Sequence, residues 1–527
     1  MPVSTSNVRH QMQGNTAQNR TTYLESRSAY DKLLNTFKDM AYLDTMISLS
    51  GWDQDISMPK SAIGYRAKAQ GYLEDLKNKK WTDPEFGRLL SIANNGSNWS
   101  AIEAANLRLW NRDYNKRIKL PLDFTAHESE VISLALAGWE SAREKNNYAI
   151  FQPHLKALVD LNKEKARYWD YKGQPYDALL DDLMPGMTVA RCDKLFDVIK
   201  PQIIELLIKI KDSNETDAKN IYGDASYPED KQEKLAKKIT SALGYDYSSG
   251  IMIKTKRHPG TYSIGAHDVR ISLRYDLRNP EAAIWTAIHE CGHGIAAQQI
   301  PDEYYGMPIG RTPGAEMAEA EARLFENNLG HSITFWEYWL PQLKKEFKPA
   351  MDSVSLEDMY MHLNRLKIGP MRIGADEVSY ILHILIRYEI ERDLFNGDIS
   401  VGDLPGAWSH RYKEYLGVDI VDDINGILQD VHWAIGYFGY FPAYAIASLI
   451  ASQLEVAMRR DHPELDQKFA LGDFSIPATW MREHVYKYGA IYDTPDLIKN
   501  VTGNEIGPYD FLNYLNRKYK IIFNLNI

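Results

Sequence analysis

Residues 287–298 read AIHECGHGIAAQ and carry His289, Glu290 and His293 in the order H-E-x-x-H. The stretch continues an apolar-periodic run that begins at NPEAAIWTAI, 279–288, so it predicts a helix. Side chains four apart share a helix face, which lets His289 and His293 present two imidazoles to one ion. Zinc accepts imidazole nitrogen at about 2.0–2.1 Å, and that spacing suits it. Glu290 stands one step round the helix, placed to take a proton from water rather than to bind the ion. Cys291 is a small residue accommodated inside the helix, not a nucleophile. Gly292 and Gly294 each cost a helix up to about 1 kcal/mol relative to Ala. Their presence predicts a close approach by another chain segment or by substrate.

A catalytic zinc needs a third protein ligand and an open fourth position. Downstream, GAEMAEAEARLFENNLG, 314–330, reads as an amphipathic helix with Glu316, Glu319, Glu321 and Glu326 as candidates. Spacing alone does not choose among them. Upstream, SGIMIKTKRHPGTYSIGAHDVRISLRYD, 249–276, alternates Val269, Ile271 and Leu273 with Arg270, Ser272 and Arg274. That is a half-buried strand pattern with turn residues before it, and it predicts a small antiparallel sheet next to the zinc helix, a β-hairpin region at about 250–276.

The rest reads mostly as helix: YDKLLNTFKDMAYLDTMISLSGWD, 30–53, and DKLFDVIKPQIIELLIKIKD, 193–212, have apolar residues at three- and four-residue spacing. Pro201 is expected to kink or restart the second of these. WAIGYFGYFPAYAIASLIAS, 433–452, is uncharged over a span long enough for a bilayer. Gly436, Gly439 and Pro442 inside it favour a buried core helix or helix–loop–helix. No short-period repeat or linker divides the chain. The expectation is therefore a flexible tail over 1–24 and a single helical domain over 25–527, with the zinc site at 289–319.

The 527 residues carry a formal net charge of −10, which argues against nucleic acid and anionic membranes as partners. Two cysteines, Cys192 and Cys291, rule out a disulfide framework and fit a reducing, cytoplasmic setting. The polar N-terminus lacks the apolar core of a signal peptide.

The motifs together resemble the carboxypeptidase Taq family of zinc metallocarboxypeptidases. HECGHG is similar to that family's H-E-x-G-H-x helix. AEARLFENNLGHS resembles its H-E-S-x-S-R-L-W-E-N segment, and matching Arg323, Glu326 and Asn327 to it implies Glu319 as the third ligand. DVRIS, 268–272, resembles D-x-R-x-T; MRIGADEVSY, 371–380, resembles I-R-x-x-A-D-E; GILQDVHWAIGYFGYFPAY, 426–444, resembles G-x-x-Q-D-x-H-W and the stretch after it. GWDQDISMPKSAIGYRAKAQ and YDALLDDLMPGMT look like family segments too. The sequence departs from the pattern at Gly260, where H-P-F has Phe, and at Ala318, Ser272 and Ala297. None of these removes a ligand or the base.

The resemblance implies a mainly α fold, a large helical metallopeptidase body with a deep substrate groove. It also implies a homodimer and one Zn2+ per chain, with Co2+ as the alternative ion. It implies peptide substrates trimmed from the C-terminus with broad specificity. A terminal carboxylate calls for a planar guanidinium, and the motif matches imply Arg270, Arg372 or both, with His258 and Asp268 from the neighbouring motifs also in the substrate site. His432 and Tyr440 are candidates to stabilise the oxygen that becomes negative, with Tyr437 and Tyr444 as rivals. The strand near 268–274 is expected to pair with the peptide backbone. Two other readings compete: an endo-acting oligopeptidase on the same scaffold, and a helical binding protein without chemistry.

Overall fold

A computed structural model describes residues 5–121, 123–213, 220–256 and 258–525, with side chains from residue 22 onward. The expected tail at 1–24 falls on residues 1–4, outside the described residues, and on the start of a helix running Thr5–Ile56 whose side chains before Thr22 also lie outside them. Among the described residues, helices build nearly everything, joined by one three-stranded sheet. The mainly α expectation holds.

Local signals explain where helices start. Asp83 accepts from the Glu85 N–H with Pro84 at the first helical position, and Ser100 with Glu103 forms a reciprocal capping box. The N-terminal helices enclose their own apolar cluster around Tyr30, Leu33, Trp81, Phe86, Leu90 and Trp110. The main core is larger and is crossed by Phe441–Asp461, a helix long and apolar enough for a bilayer whose most apolar window is 89% buried inside the protein. The uncharged run is therefore a core helix, preceded by a short 3-10 turn at Trp433–Ile435. Pro201 does not restart its helix. Val189–Asp212 is one element, its buried Ile199, Ile203, Leu206 and Ile210 packing on both sides of the proline. That packing outweighs one lost backbone hydrogen bond.

The sheet corrects two expectations. Its strands are β1 (Gly250–Lys254), β2 (Gly260–Gly265) and β3 (Asp268–Leu273), in the order β1-β3-β2. β2 and β3 form an antiparallel hairpin, turned at His267 with φ 57°, but β1 runs parallel to β3. The sheet is mixed, not antiparallel. Alternation reveals a strand but not the direction of its partner. Here β1 and β2 flank β3 on opposite sides, so the chain does not return beside β1 as a hairpin would. β3 is also the central strand, hydrogen-bonded on both sides, so it has no free edge on which to take a peptide.

The helix Pro280–Gln298, which carries H-E-x-x-H, starts with Pro280 at its first position and is buried along Ala283, Ile284, Ala287, Ile288, Cys291, Ile295 and Ala296. It packs on β2 and β3 on one side and on Ala315–Arg323 on the other. Its two glycines mark close approaches. A Cβ on Gly292 would meet the Ala322 backbone at 2.7 Å, and one on Gly294 would meet the Tyr245 ring at 2.8 Å.

Candidate metal centre

The close crossing at Gly292 brings Glu319 against the two histidines. One ligand atom from each of His289, His293 and Glu319 lies within 4.8 Å of the others. Tyr440 OH donates to Glu319 Oε1 at 2.8 Å, while Glu319 Oε2 is buried without a hydrogen-bond partner. An orphaned carboxylate oxygen beside two imidazoles is what a divalent ion would satisfy, and two His with one Glu is a catalytic zinc donor set. The residues fit the ion.

Beyond Arg323 the helix widens into a π-helical turn, Leu324–Gly330. π turns recur at functional sites. This one carries Glu326, whose Oε2 lies 2.8 Å from His289 Nδ1. In the metal-binding tautomer that pairing leaves the proton on Nδ1 and the Nε2 lone pair for the ion. Burial pulls the His289 imidazole down, but the Glu326 carboxylate outweighs it and raises it to about 9. Burial and the neighbouring His289 together lower His293. Glu326, a candidate ligand in the sequence, is instead the partner of a candidate ligand, and Glu316 and Glu321 are buried elsewhere on the helix.

Glu290 is buried, and its Oε2 lies 2.8 Å from Thr261 Oγ1 on β2; the same hydroxyl is 2.8 Å from the Glu290 carbonyl oxygen. The sheet therefore fixes the Glu290 carboxylate. Sequence reasoning missed Thr261: a lone strand threonine carries no signal until the pairing of β2 with the helix is known. Ser272, which replaces Thr in the D-x-R-x-T pattern, keeps its hydroxyl on Gly260, with Gly260 N–H donating to Ser272 Oγ at 3.1 Å.

Both candidate arginines stand on structured supports. Arg270 donates to both oxygens of Asp268 at 2.7 Å, and its guanidinium lies 4.2 Å from the Trp52 ring centre. Arg372 is buried; it donates to Asp430 Oδ1 from Nε and Nη2 and to Tyr380 OH from Nη1 at 3.2 Å. Asp268 is thus a holder of Arg270. His258 is exposed, with Nδ1 2.7 Å from the Pro259 carbonyl, and no hydrogen bond joins it to the metal cluster.

Residues 425–432 depart from helix, which is what Asp430 and His432 need in order to face inward together. Asp430 pairs with Arg372 and with Arg387. His432 Nε2 lies 3.3 Å from Tyr444 OH, and its Nδ1 is buried without a partner. Burial, reinforced by the two arginines against Asp430, lowers His432 to about 4, so it is neutral at pH 7. Of the three tyrosines, Tyr440 alone bonds a metal-ligand candidate; Tyr437 is 49% exposed and stacks on it, and Tyr444 lies beside His432.

Comparison with known proteins places the whole chain. The family model described as carboxypeptidase Taq (M32) metallopeptidase matches residues 32–519. Carboxypeptidase 1 of Bacillus subtilis is 33% identical, the match covering 94% of this chain and 99% of the relative. Thermostable carboxypeptidase 1 of Thermus thermophilus is 34% identical over the same shares, 94% and 99%. Among solved structures, the M32 carboxypeptidase of Deinococcus radiodurans superposes with a TM-score of 0.91 at 29% identity, covering 94% of this chain and 100% of that one.

Proposed function

The chain belongs to the carboxypeptidase Taq family of metallopeptidases and is a metallocarboxypeptidase, a peptide hydrolase that uses a divalent metal; from that premise we propose that it is a zinc enzyme whose ion is held by His289, His293 and Glu319, one per chain, with Co2+ as the alternative. The single observation that carries this reading is the convergence of those three side chains with an unpartnered Glu319 Oε2. Zinc, when bound, supplies Lewis acidity and lowers the pKa of a water.

The chain's own residues do the rest. Glu290, held by Thr261, takes the proton of the attacking water and passes it to the leaving amine. Tyr440 turns its single O–H from Glu319, where it rests, to the oxygen on which negative charge develops, and neutral His432 donates beside it. Arg270 and Arg372 recognise the terminal carboxylate, Arg270 stiffened by Asp268 and Trp52 and Arg372 by Asp430. His258, on the exposed approach to β2, contacts the substrate farther from the bond that breaks. Broad specificity over peptide substrates, a homodimer and a cytoplasmic setting complete the reading. Two buried free thiols, Cys192 and Cys291, favour the reducing compartment.

The test is Glu290→Gln. The variant should bind zinc at the wild-type stoichiometry and lose turnover by at least about a thousandfold. Wild-type turnover in that variant would remove Glu290 from the mechanism, and purified protein without tightly bound or activating divalent metal would favour the inert scaffold.

A further inference from the structure

His432 and Tyr440 lie on an irregular turn, yet their roles require fixed positions. The turn is gripped at both ends by one helix, Glu377–Asn396. Arg387 Nε donates to Asp430 Oδ2 at 2.7 Å, two residues before His432. One helical turn later, Glu391 Oε2 accepts from the Gly439 N–H at 2.8 Å, one residue before Tyr440. Glu391 Oε1 accepts from Trp433 Nε1 at 2.6 Å, directly after His432, and Oε2 also accepts from Tyr176 OH at 2.6 Å.

Every component is inside the protein. Arg387 and Glu391 have no exposed surface, nor does Tyr176, and Trp433 is buried. Gly439 has φ 85°, and a Cβ there would sit 3.1 Å from the Leu179 carbonyl carbon, so only glycine lets the turn reach the carboxylate. Trp433 stacks on Phe438, closing the turn on itself. A carboxyl in a dry interior is a costly way to fill space, and this one spends two of its three hydrogen bonds on the turn that carries His432 and Tyr440.

We propose that Arg387 and Glu391 form a two-point clamp, and that Glu391 is a positioning residue for the reaction: it sets the Trp433–Gly439 turn so that Tyr440 meets Glu319 and the reacting oxygen. This rests on the role given above to Tyr440. The clamp explains how a loop segment presents a donor with the fixed geometry that transition-state stabilisation demands.

The experiment is a double-mutant cycle on the zinc-loaded enzyme with Glu391→Gln and Tyr440→Phe, measuring kcat, KM, zinc content and melting temperature. Glu391→Gln should lower kcat about tenfold, with KM within about twofold and zinc content unchanged. In the Tyr440→Phe background the same substitution should lower kcat by less than about twofold, because the residue it positions is gone. A purely structural role predicts equal losses in both backgrounds, and that result, or an unchanged kcat in folded Glu391→Gln, overturns the proposal. If Glu391→Gln does not fold, Trp433→Phe removes one of the bonds from the turn and runs the same cycle under the same criteria. A Tyr440→Phe enzyme with full kcat would sink the role of Tyr440 separately; the cycle is then read against His432→Gln, where equal losses again overturn the clamp.

Discussion

A Cβ placed on Gly292 would lie 2.7 Å from the Ala322 Cα and 2.8 Å from the Glu321 carbonyl oxygen. The helix of the two histidines and the helix of Glu319 cross there backbone to backbone, and the crossing sets the spacing of the three candidate metal ligands. Gly292→Ala should gain helix propensity and still lose. The methyl group forces the helices apart at an overpacking cost of about 1–3 kcal/mol. Zinc affinity should fall at least about tenfold, since Glu319 is displaced from the histidines. Metal titration beside a thermal melt checks this, and unchanged affinity would show that the crossing does not set the ligand spacing.

The His289–Glu326 pair makes metal binding depend on pH. With His289 raised to about 9 by the Glu326 carboxylate against burial, the metal-free imidazole is protonated at neutral pH and must release that proton to bind. Zinc affinity should therefore rise by about a factor of ten per pH unit from this group, levelling off near pH 9. Glu326→Gln should flatten that dependence and, at high pH, bind about 10–100-fold more weakly because the ring is no longer oriented. Equal pH slopes in the two proteins would contradict the pairing.

The arginines should separate in their effects. Arg270→Ala should raise KM for a free-carboxylate peptide at least about tenfold with kcat and melting temperature little changed, the pattern of lost binding. Arg372→Ala should raise KM and also cost about 2–3 kcal/mol of stability, because buried Asp430 loses charged hydrogen bonds. Urea unfolding and steady-state kinetics read both. A stable Arg372→Ala would show that Asp430 does not need it.

Glu391 gives a stability test that needs no substrate. Burial raises it to about 7 despite its three hydrogen bonds. A carboxyl raised in the folded state contributes stability below its unfolded value, near 4.5, and loses it as pH climbs to about 7. Wild type should lose on the order of 3 kcal/mol across that window relative to Glu391→Gln. Parallel stability curves for the two proteins would refute the shift.

The sequence is most informative where chemistry is encoded by short spacing. His289, Glu290 and His293 are legible because helical periodicity alone places them. Glu319 needed the resemblance of AEARLFENN to a known segment, since four glutamates on one helix look alike. Gly292 announced a close approach without naming Ala322 as its partner. Thr261, Glu326 as a holder of His289, and Glu391 were not legible in their roles, because each acts across a contact between elements distant in the chain. The direction of β1 was hidden for the same reason: alternation is a property of one strand, and pairing belongs to two.

Whether the enzyme reads a chain end is decided by offering the zinc-loaded protein one peptide in two forms, free acid and C-terminal amide, and following the products by mass spectrometry. A carboxypeptidase should remove single residues stepwise from the free acid and leave the amide little cleaved or intact. Equal cleavage of the two, or internal fragments from either, would contradict that reading and identify an endo-acting peptidase.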